Sequence, residues 1–319
     1  MSGTAPRVVA LTGGVGGAKL GLGLARRLAA EDLAFVVNTG DDFEHLGLTI
    51  CPDLDTLLYT LSGEADPERG WGRRDESWRF LETLAALGGE RWFALGDRDL
   101  ALHVVRTRAL AEGRTLSEVT AALAARLGVG PALLPMSDDP VRTKVATADG
   151  ELSFQHYFVR ERCAPAVTGF RFDGAHRARA NPAVLEALAS PRLEAIVLCP
   201  SNPFVSIDPI LAVPGLHGAL KAAAAPVVAV SPLVGGLAVK GPTAKMMEEL
   251  AVPRTAPAVA SHYGALLDGM VLDAQDADEA DAVRAVGPAV TVTRTLMESL
   301  EDRLALDDAV LAFAGTLRE

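Results

Sequence analysis

The stretch that most constrains the fold is the beginning of the chain. Val8–Leu11 is a short, wholly apolar run, TGGVGGAK (Thr12–Lys19) follows it, and Leu20–Ala30 is amphipathic. Strand, glycine loop and helix in that order open a βαβ unit, and Leu33–Val37 supplies the second strand about twenty residues after the first. Gly13, Gly14, Gly16 and Gly17, with Lys19 behind them, suit a phosphate cradle, because glycines let backbone amides approach an anion at a helix N-terminus. A tight strand-to-helix turn is the plainer use of the same residues. Neither standard fingerprint fits: Leu20 stands where the nucleotide-triphosphatase loop needs Ser or Thr, and Lys19 occupies the last glycine position of GxGxxG.

The second strand runs into NTGDDFEHLGLTICPDLDTLLY (Asn38–Tyr59), which holds Asp41, Asp42, Asp53 and Asp55. A dinucleotide fold normally ends this strand in the acid that grips a ribose, and Asn38-Thr39-Gly40 stands there instead. That departure counts against a nicotinamide oxidoreductase. Crowded carboxylates repel unless a cation neutralises them, and Mg2+ takes one or two carboxylates together with substrate phosphates. The alternative is an acidic, solvated turn in which Asp53 caps the helix predicted over Leu54–Leu61.

Bulk properties narrow the class. The chain has 319 residues and a formal charge of -11, which argues against an extended nucleic-acid surface. Cys51, Cys163 and Cys199 are scattered and odd in number, consistent with a reducing cytoplasmic setting. No apolar run approaches the ~20 residues of a membrane span.

Residues 64–92 are polar, with Arg69, Arg73 and Arg74 beside Trp71 and Trp78. Such a cluster could hold a phosphate and stack a ring, or be a surface loop with anchoring tryptophans. GDRDLALHVVRTRAL (Gly96–Leu110) predicts a helix with Leu100, Val104, Val105 and Leu110 on its apolar face and Arg98 and His103 nearby. Thr115–Glu118 has capping-box spacing for a helix over Val119–Leu127. From Leu133 the pattern alternates about Asp149-Gly150, as in a β-hairpin that Val167–Phe172 extends. Ser137 and Asp138 in its entry loop are either ligand contacts or an Asx-type turn. The expected organisation is one α/β domain over 1–319 with a mostly parallel sheet, and residues 62–190 as an inserted helical and β-hairpin lobe.

The core resumes at Ala195–Cys199 and Val227–Val230, whose following loops carry Ser201, Asn202 and Pro203, then Gly235, Gly236, Lys240 and Lys245. Loops at the carboxyl ends of parallel strands are where open α/β sheets bind ligands.

TGGVGGAK, NTGDD, PDLDTLLY, RGWG, GDRDLALH, LLPMSDDPV, FQHYFV, PSNPFVSIDPIL, VVAVSP and KGPTAK occur in this order. Together they make the chain resemble the 2-phospho-L-lactate transferase family of coenzyme F-420 biosynthesis. The resemblance implies a Rossmann-like core with an added lobe, commonly a homodimer. It also implies transfer of a phospho-acid from a guanylyl diphosphate donor to the deazaflavin Fo, with Mg2+ present and GMP released. By position, Asp55 and Arg98 look like Fo-binding residues, and Asp41, Asp42 and Asp53 look like magnesium ligands or their supports. Gly13–Gly17 and Ser201–Pro203 are similar to the surroundings of the guanylyl diphosphate, with Ser137 and Lys240 as further contacts. Asp42 and Asp55 are both open as acceptors of the hydroxyl proton. The rival reading from a related family is a nucleotide-sugar-binding regulator without transferase activity.

Overall fold

In the computed structural model, residues 5–239 and 241–318 are described. Seven parallel strands form the central sheet: β1 (Val8–Thr12), β2 (Leu33–Val37), β3 (Ala132–Pro135), β4 (Ala195–Leu198), β5 (Val227–Val230), β6 (Gly269–Asp273) and β7 (Ala289–Thr293). Their spatial order is β7-β6-β5-β4-β1-β2-β3. It is the Rossmann order, which reverses direction between β1 and β4 and opens a crevice at their carboxyl ends. The helices that matter for the crevice are α1 (Gly14–Arg27), α2 (Pro52–Ser62), α3 (Asp97–Ala111), α4 (Leu116–Arg126) and α5 (Leu300–Thr316).

Both faces of the sheet are covered, so its strands are apolar throughout rather than alternating. Val8 and Ala10 of β1 join Leu33, Phe35 and Val37 of β2 in a core closed by α1, α2 and α5. Val9 and Leu11 point the other way, into a core shared with Val145, Tyr157, Phe204 and Ile207. Gly21 of α1 permits the close helix–sheet approach, since a Cβ there would press on Phe35 Cε1 at 2.9 Å.

The inserted stretch departs from expectation at two places. Ala132–Pro135, within residues 62–190, pairs in register with Ala34–Val37 as the edge strand of the central sheet. The excursion therefore returns to the core before the antiparallel sheet Arg142–Thr147, Gly150–Ser153 and Val167–Asp173 begins. A four-residue apolar run beside a hairpin pattern carries no mark of which sheet it joins. A short helix, Arg79–Ala86, also lies in the segment expected to be loop.

Helix α1 starts at Gly14, inside the glycine loop, and not at Leu20. The capping box at Thr115 and Glu118 is formed as its spacing predicts and starts α4. The face expected for α3 is rotated. Leu102, His103, Arg106 and Ala109 are buried, whereas Val104 and Val105 stand 48% and 44% exposed. Buried ion pairing from Arg106, described next, overrides the apolar periodicity.

Among the described residues no single helix is long and apolar enough to cross a membrane.

Candidate active site

A cavity of about 670 Å3 opens at the crevice between β1 and β4. Its floor is a seam between the two loops that follow these strands. Ser201 Oγ donates to Gly13 O (2.8 Å) and accepts from Gly13 N (3.2 Å). Gly14 N donates to Asp53 Oδ1 (2.7 Å), and Asn38 Nδ2 donates to Asp53 Oδ2 (2.8 Å). Asp53 thus holds the first turn of α1 from the second position of α2. It is not the N-cap of α2, where Cys51 sits without a side-chain hydrogen bond.

These bonds change the expected role of the glycines. The amides of Gly13 and Gly14 already have protein acceptors, which leaves Val15 and Gly16 as first-turn donors on the cavity wall without an intrahelical acceptor. Gly13, Gly16 and Gly17 serve packing. A Cβ on Gly13 would meet Asp53 Oδ2 at 2.7 Å, one on Gly16 would meet Pro200 O at 2.6 Å, and one on Gly17 would overlap Thr12 Oγ1. Gly14 is different, with φ at +69° and open space where a side chain would be.

Asp41, Asp53 and Asp55 line the cavity; Asp42 is buried behind it. Burial first, and then the charge of Asp53, raises the Asp41 carboxyl well above the usual range against a hydrogen bond with Asn38. Its Oδ1 is buried without a hydrogen-bond partner. Burial also lifts Asp53 to about 6 despite the Asn38 and Gly14 bonds, and Asp42 to about 7 despite Arg142 nearby. Three acids are therefore held where ionisation is costly. Among the described residues no group of three or more His, Cys, Asp or Glu side chains is arranged as a metal cage. Magnesium does not require one, and Asp41 with its orphaned oxygen beside Asp53 is a donor pair of the size it takes.

Asp55 faces a cation of the protein itself. Arg106, 1% exposed, makes a two-pronged salt bridge to it, through Nη1 to Oδ2 at 3.0 Å and a short contact from Nη2 to Oδ1. Arg106 Nη1 also lies 3.3 Å from His103 Nδ1, and His103 Nε2 lies 3.2 Å from Asp99 Oδ1. Tyr59 OH donates to Asp99 at 2.6 Å. Burial would raise Asp99, but the His103 and Tyr59 bonds outweigh it and hold the acid below its ordinary value. Asp55, Tyr59, Asp99 and His103 all border the cavity, so this chain of charges forms one wall. Sequence reasoning missed Arg106 and Tyr59, and placed His103 near the helix without a role. The sequence signal was a His and an Arg three positions apart, which share one face of a helix.

Other expected residues separate into two groups. Lys19, Ser201 and Asn202 line the cavity, and Lys19 Nζ donates to Met297 O (2.9 Å). Gly17 and Pro203 lie just behind the lining. Arg98 does not border the cavity; it is exposed at the start of α3, where its amide donates to Glu76. Ser137 is buried away from the cavity, donating to Arg179 O and accepting from Asp139 N, the turn reading of that loop. Asp138 accepts from Ser117 N at the start of α4. Lys245 is held by Glu249 and Pro165 O. Lys240 lies outside the described residues. The cavity also uses residues not anticipated from the terminal region, Thr295 and Met297, which follow β7.

The aromatic wall is formed by Trp92 and Phe93, edge to face at 5.8 Å, with Phe43 and His45 packed against them at 4.9 to 5.9 Å and Trp92 reaching His156 at 4.6 Å. Phe154 and Phe158 stack at 5.5 Å on the same cavity. An acidic, glycine-floored cavity with flat apolar walls suits a ligand that is anionic at one end and aromatic at the other.

The family profile described as 2-phospho-L-lactate transferase CofD matches residues 8–295. The chain belongs to the CofD family. It is 45% identical over 318 residues to a phosphoenolpyruvate transferase of Streptomyces griseus, covering 98% of this chain and 99% of that one. It is 44% identical to the phosphoenolpyruvate transferase of Streptomyces coelicolor over 319 residues, at 98% and 99% coverage. The Mycolicibacterium smegmatis protein of the same name is 41% identical over 325 residues, at 97% and 99% coverage. A crystal structure of a UPF0052-family protein from Bacillus halodurans shares the fold, with a TM-score of 0.62, 16% identity, and 96% and 99% coverage. This CofD-family chain is a transferase of the phosphoenolpyruvate and phospholactate type, which displaces the non-catalytic regulator as a reading.

Proposed function

We propose that the protein transfers a phosphoenolpyruvyl group from a guanylyl diphosphate donor to the terminal ribityl hydroxyl of Fo, releasing GMP, in coenzyme F-420 biosynthesis. The observation that carries this reading is the pairing, in one cavity, of an orphaned buried carboxylate at Asp41 with an aromatic wall at Trp92 and Phe93. The choice of acid follows the relatives' names.

Asp41 and Asp53 would hold Mg2+, which when bound supplies positive charge to the diphosphate oxygens. Asn38 and the Gly14 amide fix Asp53, so this donor is oriented before any ligand arrives. The amides of Val15 and Gly16 at the start of α1 face the donor's remaining negative charge. Asp55, locked by Arg106, has lone pairs left over to accept a hydrogen bond from the acceptor hydroxyl and aim it. Phosphoryl-group transfer needs positioning and charge neutralisation more than a strong base. Asp42, behind the cavity, supports the acidic loop and does not meet substrate.

The test is to incubate the protein with Fo, Mg2+ and either guanylyl phosphoenolpyruvate or guanylyl phospholactate, then weigh the product. A product heavier than Fo by the phosphoenolpyruvyl group, formed preferentially from the first donor, is expected. No adduct from either donor would overturn the proposal.

A further inference from the structure

We infer that Trp71 is the platform on which the flat ring of the acceptor stacks, an inference that rests on the acceptor identified above. The indole is 49% exposed yet borders the cavity. A large apolar side chain left in water on the rim of a site is informative, because exposure of that much aromatic surface is unfavourable until something covers it.

The loop that carries Trp71 is braced rather than slack. Gly70 and Gly72 flank it with φ values of 72° and 71°, a backbone that other residues adopt only under strain. Gly70 N donates to Asp66 O at 3.0 Å and Asp66 N donates to Gly72 O at 3.1 Å, closing the loop on itself. Asp66 Oδ1 accepts from the amides of Glu68 and Arg69 at 2.9 and 3.0 Å. At the base Arg73 pairs with Glu64 at 2.9 Å and lies over the Tyr59 ring at 5.5 Å. Trp71 and Trp78 pack edge to face at 6.5 Å and 66°, and Arg69 covers the Trp78 ring at 4.4 Å. The two glycines therefore project an indole whose support is built and about half of which is open to solvent.

Position decides which ligand it serves. Trp71 shares a small recess with Glu76, Gly96 and Asp99, and Asp99 belongs to the charged wall with Tyr59 and Asp55. That recess therefore adjoins the wall that carries Asp55, the carboxylate placed above to aim the acceptor hydroxyl. A fused ring seated there shares the cavity wall with Asp55, which assigns the recess to the acceptor.

The experiment compares wild type with Trp71→Ala and Trp71→Phe, measuring KM for Fo and for the guanylyl donor separately, with donor-free Fo titrations alongside. Circular dichroism melts and gel filtration check fold and assembly. Stacking contributes enough that Trp71→Ala should raise the KM and Kd for Fo about 10- to 100-fold, leaving donor KM unchanged and Trp71→Phe within about threefold of wild type. A folded Trp71→Ala enzyme with unaltered Fo affinity would overturn the inference while leaving the transferase reading standing. So would a change confined to donor KM, or an altered oligomeric state, which would show the indole covering another chain. Wild-type protein that binds Fo through Trp71 but forms no adduct would sink the transfer and keep the platform. Failure of wild type to bind Fo at all would sink both.

Discussion

Two buried aspartates illustrate how the same physics means different things at different places. Asp41 borders the cavity, with a buried, unpartnered Oδ1 and a carboxyl pushed upward by burial and by Asp53. An acid so placed destabilises the empty protein, and such groups persist at sites where charge is needed. Asp41→Asn is therefore expected to raise the melting temperature in metal-free buffer by about 2–5 °C while lowering turnover about 10^3-fold. Calorimetry and a product assay on the same sample check both halves; a destabilised but active variant contradicts the assignment. Asp307 on α5 lies outside the cavity, fully buried against Gly23 of α1, with neither carboxyl oxygen hydrogen-bonded. Burial, then the charge of Asp308, raises it to about 8, with Arg27 opposing. The unfolded chain releases this proton near its ordinary value of about 4. Between those two values the folded state holds a proton that the unfolded state has lost, so stability falls as pH rises from about 4 to about 8. Asp307→Asn should flatten that part of the pH–stability curve and stabilise the protein by about 3 kcal/mol at pH 8. Urea melts at pH 5 and pH 8 give the difference; identical slopes for wild type and variant would refute it.

At the scale of elements, α3 is the clearest case of local pattern giving way to partner geometry. Its sequence offers Val104 and Val105 for burial, and the structure instead buries His103 and Arg106. Arg106 reaches α2 to clamp Asp55, so the docking of the two helices and the shape of the charged wall are one feature. Removing the guanidinium leaves a buried carboxylate uncompensated, and Arg106→Ala should cost about 3–5 kcal/mol by denaturant unfolding. The double variant Arg106→Met with Asp55→Leu should recover most of that loss and no activity, since the hydroxyl-aiming carboxylate is gone. Recovery of turnover in the double variant would show that Asp55 has no part in the reaction. The glycine loop shows the converse. Its residues were chosen for contact as much as for ligand approach: Gly13 and Gly17 admit Ser206, Thr12 and Ser201 at distances no Cβ tolerates.

For the whole molecule, charge and topology act together. A protein with a formal charge of -11 is expected to take an anionic donor, so long-range repulsion slows encounter at low salt. Raising ionic strength from about 10 mM to about 150 mM shortens the screening length from roughly 30 Å to 8 Å. The value of kcat/KM for the donor should then rise by a factor of about 2–5 at fixed free Mg2+. A fall would mean that the local field of the cavity mouth, not the overall charge, governs capture. The homodimer implied by the family resemblance is a separate proposal, tested by sedimentation of the full chain.

Much of this architecture could be read without coordinates, because it depends on local rules. Apolar runs at Val8, Leu33, Ala195 and Val227 had to be buried strands, and the order of motifs along the chain pointed to the family. The capping box at Thr115 needs only four residues to be recognised. Tertiary structure alone decided the rest, since it depends on groups far apart in the chain. Ala132–Pro135 joined the main sheet because β2 offered an open edge. Arg106 turned inward because Asp55, 51 positions earlier, awaited a charge. The amides of Gly13 and Gly14 were claimed by Ser201 and Asp53, 188 and 39 positions away, and no spacing rule within the glycine loop encodes such partners.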